Sequence, residues 1–211
     1  IEDFFIKGAN VTTFIDELTF KDYRGLEVKK LTADFTYTKK NILLEQLAMN
    51  TPNSEMKGRV ELKYDRKDFS DFNNKVVFDV EFDKASIASN DLNFFYNEFG
   101  KNNIFYVDTH LVGTLNNFTT HNLKLTDKNQ SEIIGTANFQ NLFGKGNQEF
   151  YMKGSFDRIT SDYEALKIIM PRVLGKNLPS VLAKLGRVDL NGDVELTQKY
   201  INANVYLLSK L

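Results

Sequence analysis

The chain has 211 residues, 42% of them hydrophobic, which is ample for a sizeable core in one or two domains and too much for a disordered segment. Its 27 basic and 28 acidic residues leave a formal net charge of −1, so no field recruits nucleic acid or anionic headgroups. Without cysteine there is no disulfide, thiolate nucleophile or Cys-ligated metal, and no stretch approaches the roughly 20 apolar residues of a helical membrane span. Ile1 opens the sequence inside an apolar run with no basic-then-apolar leader, which predicts an internal piece of a longer polypeptide.

Strand alternation comes first. Leu31, Ala33, Phe35 and Tyr37 alternate with Thr32, Asp34, Thr36 and Thr38, the period-2 signature of one buried and one wet face. A turn at Thr51-Pro52-Asn53-Ser54 precedes the next run, where Val60, Leu62 and Tyr64 alternate with Glu61, Lys63 and Asp65. Asn73-Asn74 marks another turn before Val76, Phe78, Val80 and Phe82. Beyond Ser89, a predicted N-cap, Leu92, Phe95, Tyr96 and Phe99 fall at i, i+3, i+4 and i+7, so a helical insert with one apolar stripe is expected near 89–100, stopping at Gly100. Turns follow at Asn116-Asn117, Lys128-Asn129-Gln130 and Gly144-Lys145-Gly146-Asn147.

A second helical pattern starts after Ser161 or Asp162, with Leu166, Ile169, Met170 and Val173 as its stripe; Pro171 should kink or end it. A further short turn is expected after Pro179 with Val181, Leu182 and Leu185 inward, giving an insert near 161–186. Val188, Leu190, Val194 and Leu196 then share a parity broken by Gly192, and Ile201, Ala203, Val205 and Leu207 close the chain in strand rhythm. The predicted fold is mainly β with two short helical inserts, antiparallel and up-and-down. Strands fill 1–75, a unit with an insert fills 76–147, and a second such unit fills 148–211. A closed barrel with helical plugs is the alternative, since both architectures bury one face of every strand.

One phrase occurs twice. Phe82-Asp83-Lys84 leads through Ile87, Ser89 and Asp91 to a helical stretch and Val107-Asp108; Phe156-Asp157-Arg158 leads through Ile159, Ser161 and Asp162 to another and Val188-Asp189. Such repetition indicates an array whose units each leave an apolar face for the next to cover.

Catalytic chemistry has no residues to rest on. His110 and His121 lie in strand-like sequence without carboxylates at ligand spacing and read as surface or sheet-face histidines. There is no Gly-x-Ser-x-Gly elbow, no dinucleotide fingerprint and no phosphate loop, so neither enzyme activity nor a cofactor is expected. Acidic residues alternate with apolar ones and read as the solvated sides of strands. What remains is the apolar face supplied by 18 phenylalanines and nine tyrosines. It serves either as a sandwich core or as the concave side of an open sheet that holds acyl chains.

Leu44 through Leu62, with Asn53-Ser54 at its turn and Gly58 in the returning strand, resembles the strand–turn–strand phrase of the TamB and AsmA-like family. His121 through Phe139 is similar to a second copy, and the inserts, with Met170-Pro171 and Leu178-Pro179 in the second, look like those of TamB-like proteins of Bacteroidota. The resemblance implies an elongated, curved antiparallel sheet forming a repeating β-groove, or β-taco, with an apolar interior. It also implies a place in the periplasm of a Gram-negative bacterium, in a parent anchored in the inner membrane. Phospholipid acyl chains would be its ligand and an outer-membrane barrel of the TamA type the partner of the parent chain. The residues expected to line the groove are Leu31, Ala33, Phe35, Tyr37, Val60, Leu62, Tyr64, Val76, Phe78, Val80, Phe82, Val188, Leu190, Val194 and Leu196.

Overall fold

The computed structural model describes residues 5–7, 10–23, 25–142 and 149–209. Among them twelve strands lie side by side in one antiparallel sheet, in chain order: β1 (Phe5–Lys7), β2 (Asn10–Lys21), β3 (Glu27–Tyr37), β4 (Asn41–Asn50), β5 (Glu55–Lys63), β6 (Val77–Ala88), β7 (Ile104–Thr114), β8 (Asn117–Asp127), β9 (Glu132–Gln140), β10 (Tyr151–Asp162), β11 (Arg187–Thr197) and β12 (Ile201–Ser209). The up-and-down topology agrees with the expectation. β1 and β12 do not pair, so the sheet is open and the closed barrel is ruled out.

Alternation alone would not keep these strands one-sided. β4, β6 and β8 each take one residue more than their partners near Gln46, Lys84 and Asn122, which sit at φ 48°, 51° and 50° and are spaced 38 residues apart. Similar slips occur between Ile15 and Leu18 in β2 and between Phe156 and Ile159 in β10. An extra residue inverts the parity of everything beyond it. Val80 and Phe82 therefore share a face with Ala85 and Ile87, although the first pair is even-numbered and the second odd. The repeating element is thus one bulged strand plus one regular strand, and the doubled phrase spans two such hairpins.

The regular strands β5 and β9 answer with glycine. Gly58 in β5 pairs with Leu47 and Phe82, and Gly135 in β9 with Leu123 and Phe156, so each lies between two bulged neighbours. Their φ values of 151° and 157° disfavour other residues, and a Cβ on Gly135 would come within 2.7 Å of the Phe156 Cα.

Short helical pieces interrupt the meander. A 3₁₀ turn over Arg66–Asp71 runs into α1 (Phe72–Lys75), which occupies the expected Asn73-Asn74 turn, and Tyr64, Phe69, Phe72 and Phe78 form a chain of ring contacts at 4.6, 6.2 and 5.7 Å. The first insert is shorter than its apolar spacing predicts. α2 covers only Ser89–Leu92, because the Asn93 side chain accepts from Phe99 N–H and donates to Phe99 C=O, both at 3.0 Å, and turns the chain out of the helix. Phe95, expected on the inner stripe, is 44% exposed as a result. Nor is Ser89 a cap; its buried hydroxyl accepts from Asn103 N–H at 3.0 Å.

The second insert follows the prediction more closely. Asp162 caps α3 (Tyr163–Ile169) by accepting from Ala165 N–H at 2.8 Å, and the helix ends just before Pro171. After α4 (Leu174–Asn177) and Pro179, a 3₁₀ turn spans Ser180–Leu185. Its period of three aligns Leu182 with Leu185 and leaves Val181 59% exposed, contrary to expectation. The Gly144–Asn147 turn lies outside the described residues.

Apolar packing is uneven along the sheet. A large cluster joins Phe105, Phe118, Ala137, Met152, Phe156, Ile159 and Leu196 from the strands to Leu166, Ile169, Met170 and Val173 of the second insert, with Leu92, Tyr96 and Phe99 of the first packed against it. The two inserts also touch each other: Gly100 N–H donates to Ile169 C=O at 3.3 Å and Arg172 Nε to Glu98 Oε2 at 2.7 Å. A smaller cluster of Val28, Leu31, Ala33 and Leu47, flanked by Ile15, Leu44, Met49 and Val60, serves the first strands and draws no residue from either insert.

Candidate functional site

Register places the expected lining residues in rows that cross the sheet. Tyr37 pairs with Ile42, Ile42 with Leu62, and Leu62 with Phe78; one step along, Phe35, Leu44, Val60, Val80 and Leu111 are joined in the same way. Directly paired residues point to the same face. Leu31, Ala33 and Phe82 belong to neighbouring rows of this face, and Val188, Leu190, Val194 and Leu196 occupy one parity of β11. Tyr64 and Val76 are different. They fall just outside β5 and β6 and are buried at the sheet end, where the Tyr64 hydroxyl donates to Thr38 C=O at 3.1 Å.

Coverage of this face changes along the chain. Phe35, Leu44, Val60, Leu62 and Phe78 are only partly buried, and Tyr37, Leu18 and Phe20 are 38%, 42% and 42% exposed. In the second half Val188 and Leu196 are buried, and among the insert residues Leu166, Ile169, Met170 and Val173 are buried against the strands while Leu92 and Phe99 are partly so.

The opposite face carries a polar cluster that was not anticipated. Arg59, Glu81, His110 and His121 are successive partners across β5, β6, β7 and β8, and Glu61 pairs with Asp79 in a neighbouring row. Asp79 Oδ1 lies 2.8 Å from His110 Nε2, while its Oδ2 lies 2.7 Å from Lys63 Nζ. The hydrogen bonds from Lys63 and His110 hold the Asp79 carboxyl below its usual range. Arg59 pairs with Glu61 and lies 3.6 Å from Asp79. The carboxylates missing beside the histidines in sequence come from another strand. A signal for the histidine pair was present: His110 and His121 are equidistant from the turn that joins Thr114 to Asn117, so a tight hairpin sets them opposite each other.

Comparison with protein-family models, with curated proteins and with solved structures finds no match to this chain.

Proposed function

We propose that this chain is a length of lipid-conducting groove of the TamB and AsmA-like kind, in which the sheet curves around an apolar interior and passes phospholipid acyl chains across the periplasm toward the outer membrane. The parent protein would supply the inner-membrane anchor and the contact with an outer-membrane barrel. The observation that supports this reading is the contrast in coverage: the same apolar rows run through the sheet, packed under the inserts in the second half. Over β2 to β5, among the described residues, no insert covers them and, outside the small cluster of Val28, Leu31, Ala33 and Leu47, Leu18, Phe20, Phe35, Tyr37, Leu44, Val60 and Leu62 are partly or largely exposed. Each methylene withdrawn from water contributes ~0.8 kcal/mol. Ten of them would contribute roughly 8 kcal/mol, comparable with the roughly 4–15 kcal/mol cost of immobilising a ligand.

Photo-crosslinking residues at Phe35, Leu44 and Phe78, in cells, should capture phospholipid identified by mass spectrometry. Equal capture from the outward positions Thr36 and Asp79 would overturn the proposal.

A further inference from the structure

We propose that Asp79, Glu81, His110 and His121 bind a divalent transition-metal cation of the zinc or copper class on the polar face of the sheet. This site is independent of the lipid-groove reading and uses the opposite face. The chain has only two histidines, and its register sets them directly opposite each other on β7 and β8 with ring centroids 6.0 Å apart. Glu81 is the partner of His110 on the other side. Ligand atoms of Asp79, Glu81 and His110 already lie within 4.8 Å of one another. Donors sharing one zinc ion at about 2.0–2.2 Å stand roughly 3–3.5 Å apart, so small side-chain rotations close the set.

The contact between His110 Nε2 and Asp79 Oδ1, 2.8 Å long, is where the ion would replace the shared proton. Asp79 can bind through Oδ1 while Oδ2 keeps its ion pair with Lys63, and the looser 3.6 Å contact of Arg59 with Oδ1 gives way to the ion. His121 completes the coordination from the neighbouring strand. Its backbone is fixed by the bulge at Asn122, φ 50°, and by Thr109 Oγ1, which donates to the His121 carbonyl at 3.0 Å. Two imidazoles and two carboxylates form a borderline donor set, which suits zinc, copper(II) or nickel(II) better than calcium or magnesium.

Charge decides whether a dication is tolerated beside Arg59 and Lys63. Glu61, Asp79 and Glu81 surround them, and Asp83 and Asp108 line the same concavity as Glu81 and His110; with Lys124 opposite Asp108 counted as well, five carboxylates stand against three cations. The surrounding charge therefore favours the dication.

Titration calorimetry of tag-free protein with zinc chloride tests the site. Saturable uptake of one ion per chain is expected, with H110N and H121N each weakening it about ten-fold or more and E81Q weakening it less. Far-UV circular dichroism confirms that these surface variants remain folded. Absence of saturable binding, or binding that survives the H110N/H121N double substitution unchanged, overturns the proposal. Cobalt(II) gives a second readout: imidazole ligation should produce visible absorption bands that the double variant loses.

Discussion

Ser131 Oγ and Ser161 Oγ stand 2.8 Å apart with no solvent exposure at either residue. The contact ties the turn that enters β9 to the end of β10, where the second insert departs. The first copy uses the same device with other partners. Ser54 Oγ accepts from Ala88 N–H at 2.9 Å and donates to Asp91 Oδ2 at 2.5 Å, and Asp91 also accepts from Thr51 Oγ1 at 2.5 Å and Asn53 Nδ2 at 3.2 Å. One residue of each copy of the doubled phrase, Asp91 in the first and Ser161 in the second, therefore fastens its insert to a hairpin turn.

Replacing one member of the serine pair leaves the other buried without that partner, a loss of about 1–3 kcal/mol. Urea unfolding of S131A and S161A should each show such a loss. The double variant should lose clearly less than their sum, since neither hydroxyl then lacks the other; full additivity would refute the coupling.

Glycine substitutions should separate two roles. G135A forces a Cβ against the Ser155 carbonyl and the Phe156 backbone at positive φ, and should cost more than about 3 kcal/mol. Gly175 lies in α4, where a Cβ would meet its nearest neighbour at an ordinary 3.6 Å, so G175A should stabilise by up to about 1 kcal/mol through helix propensity. Thermal unfolding of both variants checks the opposite signs.

Much of the sheet was legible because period-2 alternation survives in its regular strands: the apolar parities of β3, β5 and β11 were read directly. β6 was legible only as far as Phe82. Lys84 at positive φ inverts the parity there, and a lysine carries no sequence signal for a left-handed backbone, so Ala85 and Ile87 were missed. The first helix was overextended for a related reason: apolar spacing reports which residues could share a face, whereas the Asn93 side chain that ends the helix is a competing local bond. The Asp79–His110 contact joins residues 31 positions apart on neighbouring strands and could not be read without their register.

Acid should act through Glu61. Burial pushes its carboxyl upward, but hydrogen bonds from Asn41 and Arg59 and the charges of Lys63 and Arg59 outweigh this and hold it below the ordinary 4.5. A carboxyl depressed in the folded state contributes stability above its unfolded pKa and loses it as pH falls through the folded value. Wild type should therefore lose stability progressively below about pH 4.5, and E61Q should be less stable at pH 7 with a shallower acid limb. Denaturant midpoints from pH 7 to pH 3 provide the measurement; parallel curves would exclude Glu61 as a contributor.

The ion pair between the inserts gives the last prediction. Glu98 is 6% exposed, with Oε2 on Arg172 and Oε1 without a hydrogen bond in the structure, whereas the Arg172 side chain is 59% exposed. Removing the arginine strands a buried carboxylate, and losses of about 3 kcal/mol are usual when one partner of a buried pair is removed. R172A should therefore be more destabilising than the E98Q/R172A double variant, in which the buried charge is gone. The damage should be local, because the two inserts are joined to each other at Gly100 and Ile169 and belong to the larger cluster, while the first strands have a separate one. Hydrogen exchange followed by mass spectrometry should show faster exchange in R172A across 92–100 and 163–177, with amides of β3 to β5 unchanged. Equal acceleration in β3 to β5 would mean that the inserts and the first strands open as one unit.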